Sequence, residues 1–361
     1  MPRALAGRRV LELAGPFGDY AGKLFADMGA DVVRVEGPGG PASGSARGRY
    51  MHLAKRRMAL DLGADRDRER FAGMAATAGL VIESFAPGHL DELGLGYEAL
   101  SRLNPALVLV SITGFGQTGP HASWKSSDIV AAASGGAMYV TGSAEDPPLA
   151  LAGEQAALMA SVYAATAAMF ALWHAAASGR GQHVDISAQE ATLSVSHISG
   201  VGKWLDDGIV PRRMGTSLFA SVPSGAYRCK DGLVYLMVNR PLHWQALAKW
   251  INEETGNREV LDPMFEGPSA NRIAYRELLD LFIGELTERY TVAEVYDEGQ
   301  ARHIAFTPVN TLADVVADPQ LAARGYFVEL DWSGGKQRYP GAPYRFSRTP
   351  WSLEPVAEAD E

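Results

Sequence analysis

Glu154 heads a run in which no formally charged residue appears before Arg180, and Ala, Leu, Met, Val and aromatics dominate that run. An acidic group beside so apolar a stretch is costly unless it has a use. Two uses fit the residue type. A carboxylate can be the nucleophile of an acyl transfer, or it can sit at the N-terminus of the helix it precedes, where negative charge is favoured. Both remain open at this point.

Other residue types narrow the chemistry. The segment TGFGQTGP at 113–120 can bring backbone N–H groups close to a phosphate or thioester, or it can be a plain flexible connection. Gly135 and Gly136 can admit a ligand or only permit tight packing. Arg272, Arg289 and Arg324 could each meet a carboxylate or phosphate, and the simpler reading of each is a solvated charge. The eight histidines show no zinc spacing. His174 reads as packed inside the apolar helix and His183 as a support for the turn at Gly181. Cys229 is the lone cysteine, which excludes an intramolecular disulfide and a cysteine-cluster metal site, and points to a cytoplasmic compartment.

These groups need a frame, and the chain alternates strand and helix patterns. Arg9–Leu13 reads as a strand, followed by a turn and an apolar-periodic helix, then a second strand at Asp31–Glu36. Further strands read at Lys55–Leu62, 79–85 and 107–112, with a helix ending near Ala78 between the first two. Strand, helix, strand in this order implies parallel pairing in an α/β unit. Residues 155–178 read as the most deeply buried helix. They are long enough to raise a membrane span, but their alanine content with Gln155, Ser161, Thr166, His174 and Ser178 favours a core helix. After Ala191 the pattern changes. Asp231-Gly232 marks a hairpin, and helices follow at 241–253, 273–286 and 291–298, giving a smaller α+β domain. Residues 340–350, rich in proline, cannot be a regular helix.

The 361 residues exceed an ordinary single core, so two domains are expected. A net charge of -9 argues against a broad nucleic-acid surface, although a local basic patch can still hold a phosphorylated group. The N-terminal MPRALAGRRVLELAG lacks the continuous apolar segment of a signal peptide. The first turn lacks G-x-G-x-x-G, which makes nicotinamide binding a poor hypothesis.

The ordered set RRVLEL, LFADMGADVVRVEGPGG, KRRMALDL, PGHLDELGLGYEALSRLNPALVLVSITGFGQTGP, SGRGQHVDISAQEA and RYPGAPYRFSRTP resembles the family III CoA-transferases (CaiB/BaiF-like), a group that also holds the α-methylacyl-CoA racemases. The resemblance implies an α/β fold with a large doubly wound CoA-binding domain at 1–205 and a smaller α+β domain with linker at 206–330. A return segment across the large domain at 331–361 follows, with the family's C-terminal extension absent. It implies an interlocked dimer, either a homodimer or a heteromer with a related catalytic subunit. It also implies that the thioester enters a cleft between domains.

CoA or acyl-CoA is then a substrate, with a carboxylic acid as second substrate, no covalently bound cofactor, no metal, no nucleic acid and no membrane. By motif position the CoA neighbourhood takes in Asp19, Tyr20 and Ala21, then Ser84, Phe85, Pro87 and Gly88, and Leu93, with Lys125 as a further phosphate contact. The family's covalent acyl carrier is an aspartate; here PPLALAGEQ brings Glu154, and the stretch to Gly179 is a couple of residues longer than the family pattern. Gly37 replaces a common Arg and Ser84 a common Asn; Arg34, Lys55 and Arg56 are candidates to compensate. Ser127 precedes Asp128 where the racemases carry His, which argues against racemisation. A noncatalytic CoA-binding subunit is the alternative function.

Overall fold

In the computed structural model the described residues are 3–38, 45–196, 201–218, 221–332 and 335–354. They pack as two compact units. The first takes the chain up to Met138, Ala150–Asp207 and the part from Pro319 onward; the second takes Tyr139–Leu149 and Gly208–Asp318.

The first unit alternates strand and helix as β1 (Arg9–Leu13), α1 (Asp19–Asp27), β2 (Asp31–Glu36), α2 (Ala46–His52), β3 (Arg56–Ala59), α3 (Asp65–Ala75), β4 (Leu80–Glu83), α4 (His89–Glu92), α5 (Tyr97–Leu103), β5 (Val108–Thr113), α6 (Asp128–Ser134), α7 (Gln155–Ser178), β6 (His183–Ser187), α8 (Ala188–Ser196) and α9 (Val201–Asp207). All six strands pair in parallel, in the order β3-β2-β1-β4-β5-β6. Val10, Val32, Leu80, Ile82, Val108 and Val110 face one core with α1 and α7. Leu11, Val33, Val35, Val81 and Leu109 face the other with α3 and α5. Side chains alternate across a strand, so a sheet covered on both faces needs apolar residues at successive positions. That explains runs such as VLVSIT.

Helix α7 corrects the expectation of deep burial. Ala156, Ala160, Ala164, Ala168, Ala171 and Ala175 form a small-residue stripe against the sheet. The opposite face is exposed: Phe170 is 72% and Trp173 81% accessible, and His174 lies on that side. Alanine permits close approach to the strands, so the bulky residues point outward. By length and composition this helix could cross a membrane, yet its inner face is packed against β5, β6, α1 and α8. It ends at Gly179 in a left-handed conformation, and the chain then passes Leu107 so closely that a Cβ on Gly181 would stand 1.8 Å from the Leu107 carbonyl oxygen.

In the second unit β7 (Ser224–Arg228) and β8 (Leu233–Met237) form the hairpin around Asp231-Gly232. Helices α10 (Pro241–Thr255), α11 (Arg276–Thr287) and α12 (Val292–Ala301) follow, then β9 (Phe306–Pro308) and α13 (Leu312–Ala317). The strands pair antiparallel, β7-β8-β9. Trp244, Trp250, Phe265 and Phe306 fill this core. Arg272 is not a surface charge. It is wholly buried, donates to the carbonyls of Val222, Phe265 and Gly267, and its guanidinium lies 5.0 Å from the Trp244 ring centre.

The chain returns to the first unit as α14 (Pro319–Ala323) and the antiparallel pair β10 (Phe327–Trp332) and β11 (Gly335–Pro340), followed by a segment without regular helix or strand. Residues 333–334 and 355–361 of the proposed return segment lie outside the described residues.

The Gly181 approach gives a direct test. Gly181→Ala should destabilise the chain by about 2 kcal/mol or more, seen as a lower urea midpoint; an unchanged midpoint would contradict the packing described.

Candidate functional site

In an open parallel sheet of this order the strand sequence reverses between β1 and β4, and ligands settle outside the carboxyl ends of the strands at that point. Both segments named by the family resemblance lie there. Asp19, Tyr20 and Ala21 open α1 directly after β1, while Ser84 and Phe85 follow β4. The two loops are tied together across the reversal: the Gly15 amide donates to Ser84 Oγ at 2.7 Å. The Phe85 amide donates to Glu83 at 2.7 Å, and burial pushes the Glu83 carboxyl above its ordinary range. Gly88, left-handed, introduces the short α4, and Leu93 closes it.

A cavity of about 330 Å³ adjoins this loop, lined by Glu83, Gly88, Tyr97, Ser111, Gln117 and His183 among others. His183 does not brace the Gly181 turn. Its Nε2 lies 2.9 Å from Ser111 Oγ and its ring stacks on Tyr97; burial lowers its pKa, which keeps it neutral.

Arg47, which sequence reasoning passed over, is the residue that joins the candidate carboxylates. It sits in the first turn of α2, whose Ser45 cap accepts the Gly48 amide. Its Nη1 donates to Asp19 Oδ2 at 2.8 Å and its Nε to Glu154 Oε2 at 2.5 Å. Asp19 is buried, Glu154 about half exposed. Burial works against the guanidinium charge, but hydrogen bonds to Asp19 and Glu154 outweigh it and raise the Arg47 pKa. The only sequence signal was a serine cap after a glycine-rich run.

Glu154 precedes α7 in a left-handed conformation, φ 57° and ψ 43°, and its side chain makes no cap. Asp128 supplies the cap instead: its Oδ1 accepts the Ala157 amide at 2.9 Å. The Glu154 carboxylate is thereby left to Arg47 rather than to the helix terminus. Neither residue's backbone setting was readable from the run that follows Glu154.

The cations proposed as phosphate contacts are mostly spoken for. Lys55 is fully buried, paired with Glu12 at 2.6 Å and donating to the Asp19 carbonyl at 2.6 Å. Burial pushes Glu12 up and Lys55 down, against their mutual attraction. Arg34 pairs with Glu12 and Glu36, and Arg56 with Asp31. His52 beside Lys55 is lowered to about 2 by burial and neighbouring cations, so it is neutral. Lys125 is exposed in the loop after β5, and no ion pair engages it among the described residues. The described residues hold no cluster of metal-ligating side chains.

The chain is 35% identical, over 370 residues, to the succinyl-CoA:(R)-benzylsuccinate CoA-transferase subunit BbsE of Thauera aromatica, covering 96% of this chain and 88% of that one. It is 33% identical to the succinyl-CoA:mesaconate CoA-transferase of Haloarcula marismortui, covering 96% and 91%. A crystal structure of a CAIB/BAIF family protein from Brucella suis superposes with a TM-score of 0.85 at 29% identity, covering 98% of this chain and 96% of that one. The family model described as CoA-transferase family III matches residues 5–358. With the doubly wound sheet and its smaller α+β companion, this shows that the chain belongs to CoA-transferase family III, enzymes that exchange CoA between a thioester and a carboxylic acid.

Proposed function

We propose that Glu154 is the acyl carrier of this transferase and that CoA lies along the loops after β1 and β4, against residues 19–21 and 84–88, with Leu93 behind them. The observation that carries the reading is Arg47, which fixes Glu154 beside Asp19 at the edge of that crevice. The Glu154 carboxylate attacks the thioester carbonyl of the donor, forming a mixed anhydride and releasing CoA thiolate. The thiolate attacks the Glu154 carbonyl, giving a glutamyl-CoA thioester and the free donor acid. The acceptor carboxylate attacks that thioester and expels thiolate again. The thiolate then takes the acceptor's acyl group from the second anhydride, regenerating the carboxylate. Each step exchanges one acyl bond for another, which divides a difficult exchange between two acids into easier ones.

Succinyl-CoA as donor and a dicarboxylic acid as acceptor are the substrates we favour, because two relatives are named for succinyl-CoA. We place the enzyme in the cytoplasm, a reading supported by its single cysteine, which leaves no intramolecular disulfide to form.

A second protomer completes the proposed assembly. Phe170 and Trp173 on α7, and Trp204 and Leu205 on α9, are all more than half exposed, and large apolar groups left open on two helices support a protein interface there. The partner is a second copy or a related, unlike subunit; the word "subunit" in the name of one relative supports the latter. In that case this chain binds CoA while its partner carries the reacting carboxylate. Native mass spectrometry of the purified chain, paired with its transfer rate, separates the two: an active homodimer sinks the unlike-subunit reading.

Incubation with succinyl-CoA followed by peptide mass spectrometry should reveal CoA joined to the peptide holding Glu154. Glu154→Gln should lose roughly 10⁴-fold or more in kcat, and full activity in that variant rejects the covalent role. Arg47→Ala should cost about 100-fold in kcat, the scale of a carboxylate misplaced by about 1 Å. An Arg47→Ala enzyme with normal kcat would show that the guanidinium does not position Glu154.

A further inference from the structure

We propose that the first unit carries a separate binding site for a small organic dianion with a flat apolar body, in the cavity between the end of α14 and the turn after β11. The cavity measures about 350 Å³ and is lined by Arg324, Tyr326, Pro343, Arg345 and Trp351 among others, with no acidic residue. Its walls are two turns held to one another. The Tyr326 amide closes α14 on the Leu321 carbonyl at 3.0 Å, through Gly325 at φ +58°, and the Gly341 amide donates to the Tyr326 carbonyl at 2.8 Å. Trp351 is set by close packing. Its ring lies over Gly341, where a Cβ would stand 2.3 Å from the indole, and it packs against the cluster of Leu53, Tyr339 and Leu353.

The charges point to the ligand. The Arg345 guanidinium reaches across to the other turn, 3.8 Å from where a Cβ on Gly325 would be, and so stands beside the residue that follows Arg324. Among the described residues neither guanidinium makes an ion pair or a side-chain hydrogen bond. Both arginines line the cavity and reach solvent, and no acidic side chain lines it with them, so an anion bound there would supply the counter-charge. Guanidinium forks suit carboxylate and phosphate oxygens, and Trp351 and Tyr326 in the lining suit an apolar or aromatic body. A cavity near the small end of ligand-site volumes, about 300–1,000 Å³, takes a free dicarboxylate or phosphomonoester rather than a whole CoA. The site shares no lining residue with the Arg47 cluster and does not rest on the Glu154 reading.

Isothermal titration of the full chain at low salt tests it with phenylsuccinate, phenyl phosphate, inorganic phosphate and neutral benzamide. At least one aromatic dianion should bind, benzamide should not, and the better of the two identifies the ligand's acidic group. The double variant Arg324→Gln/Arg345→Gln should weaken binding at least tenfold, while Glu154→Gln leaves it intact. Unchanged affinity in the double variant overturns the proposal, as does absence of binding by the native chain. Loss of binding in Glu154→Gln places the ligand at the transfer site and overturns it too. Inorganic phosphate binding as tightly as phenyl phosphate rejects the organic body.

Discussion

A charged pair sealed in the interior, Glu12 on β1 with Lys55 just before β3, sets the position of everything at the crevice. Both side chains are fully buried. Such ions are tolerated only when each is paired and hydrogen-bonded; removing one partner typically costs about 3–5 kcal/mol because the other is stranded. Lys55 uses its remaining capacity on the Asp19 carbonyl, and Arg34 adds a second cation to Glu12. The start of α1 is therefore fastened from beneath. The Glu12 carboxylate lies so close to that helix that a Cβ on Gly22 would stand 1.6 Å from Oε2, so only glycine admits the arrangement. Asp19, held at its backbone by Lys55 and at its carboxylate by Arg47, connects the buried pair to Glu154.

The sheet was legible because its strands are apolar at successive positions and separated by helical patterns, and α7 was bounded correctly by its uncharged run. Its orientation was not legible. Alanine on one face and Phe170 and Trp173 on the other are both apolar, so no polar stripe marks which side faces the solvent. The parallel order placed the segments 19–21 and 84–88 at one end of the sheet, a consequence of topology that spacing alone does not reveal.

Charged residues were the harder class. Lys55 and Arg272 look like surface cations in sequence, since nothing near them in the chain announces Glu12 or the carbonyls of Val222 and Phe265. Arg47 follows a glycine-rich run in which nothing announces its partners, yet it carries the contact that defines the candidate site. Such partners lie 43 and 107 residues away for Lys55 and Arg47 respectively, and only the fold brings them together.

In the reading proposed above, the chemistry of this family III transferase rests on carboxylates, and the fold's work is to bring a thioester to one of them. The strand reversal opens the crevice, the buried pair fastens the start of α1 at its rim, and Arg47 ties Asp19 to Glu154, the residue proposed to react there. Hydrogen–deuterium exchange of the full chain with and without CoA examines that claim most directly. The account predicts slowed exchange in the loops after β1 and β4, at residues 15–21 and 84–93, whereas protection confined to other segments would contradict it.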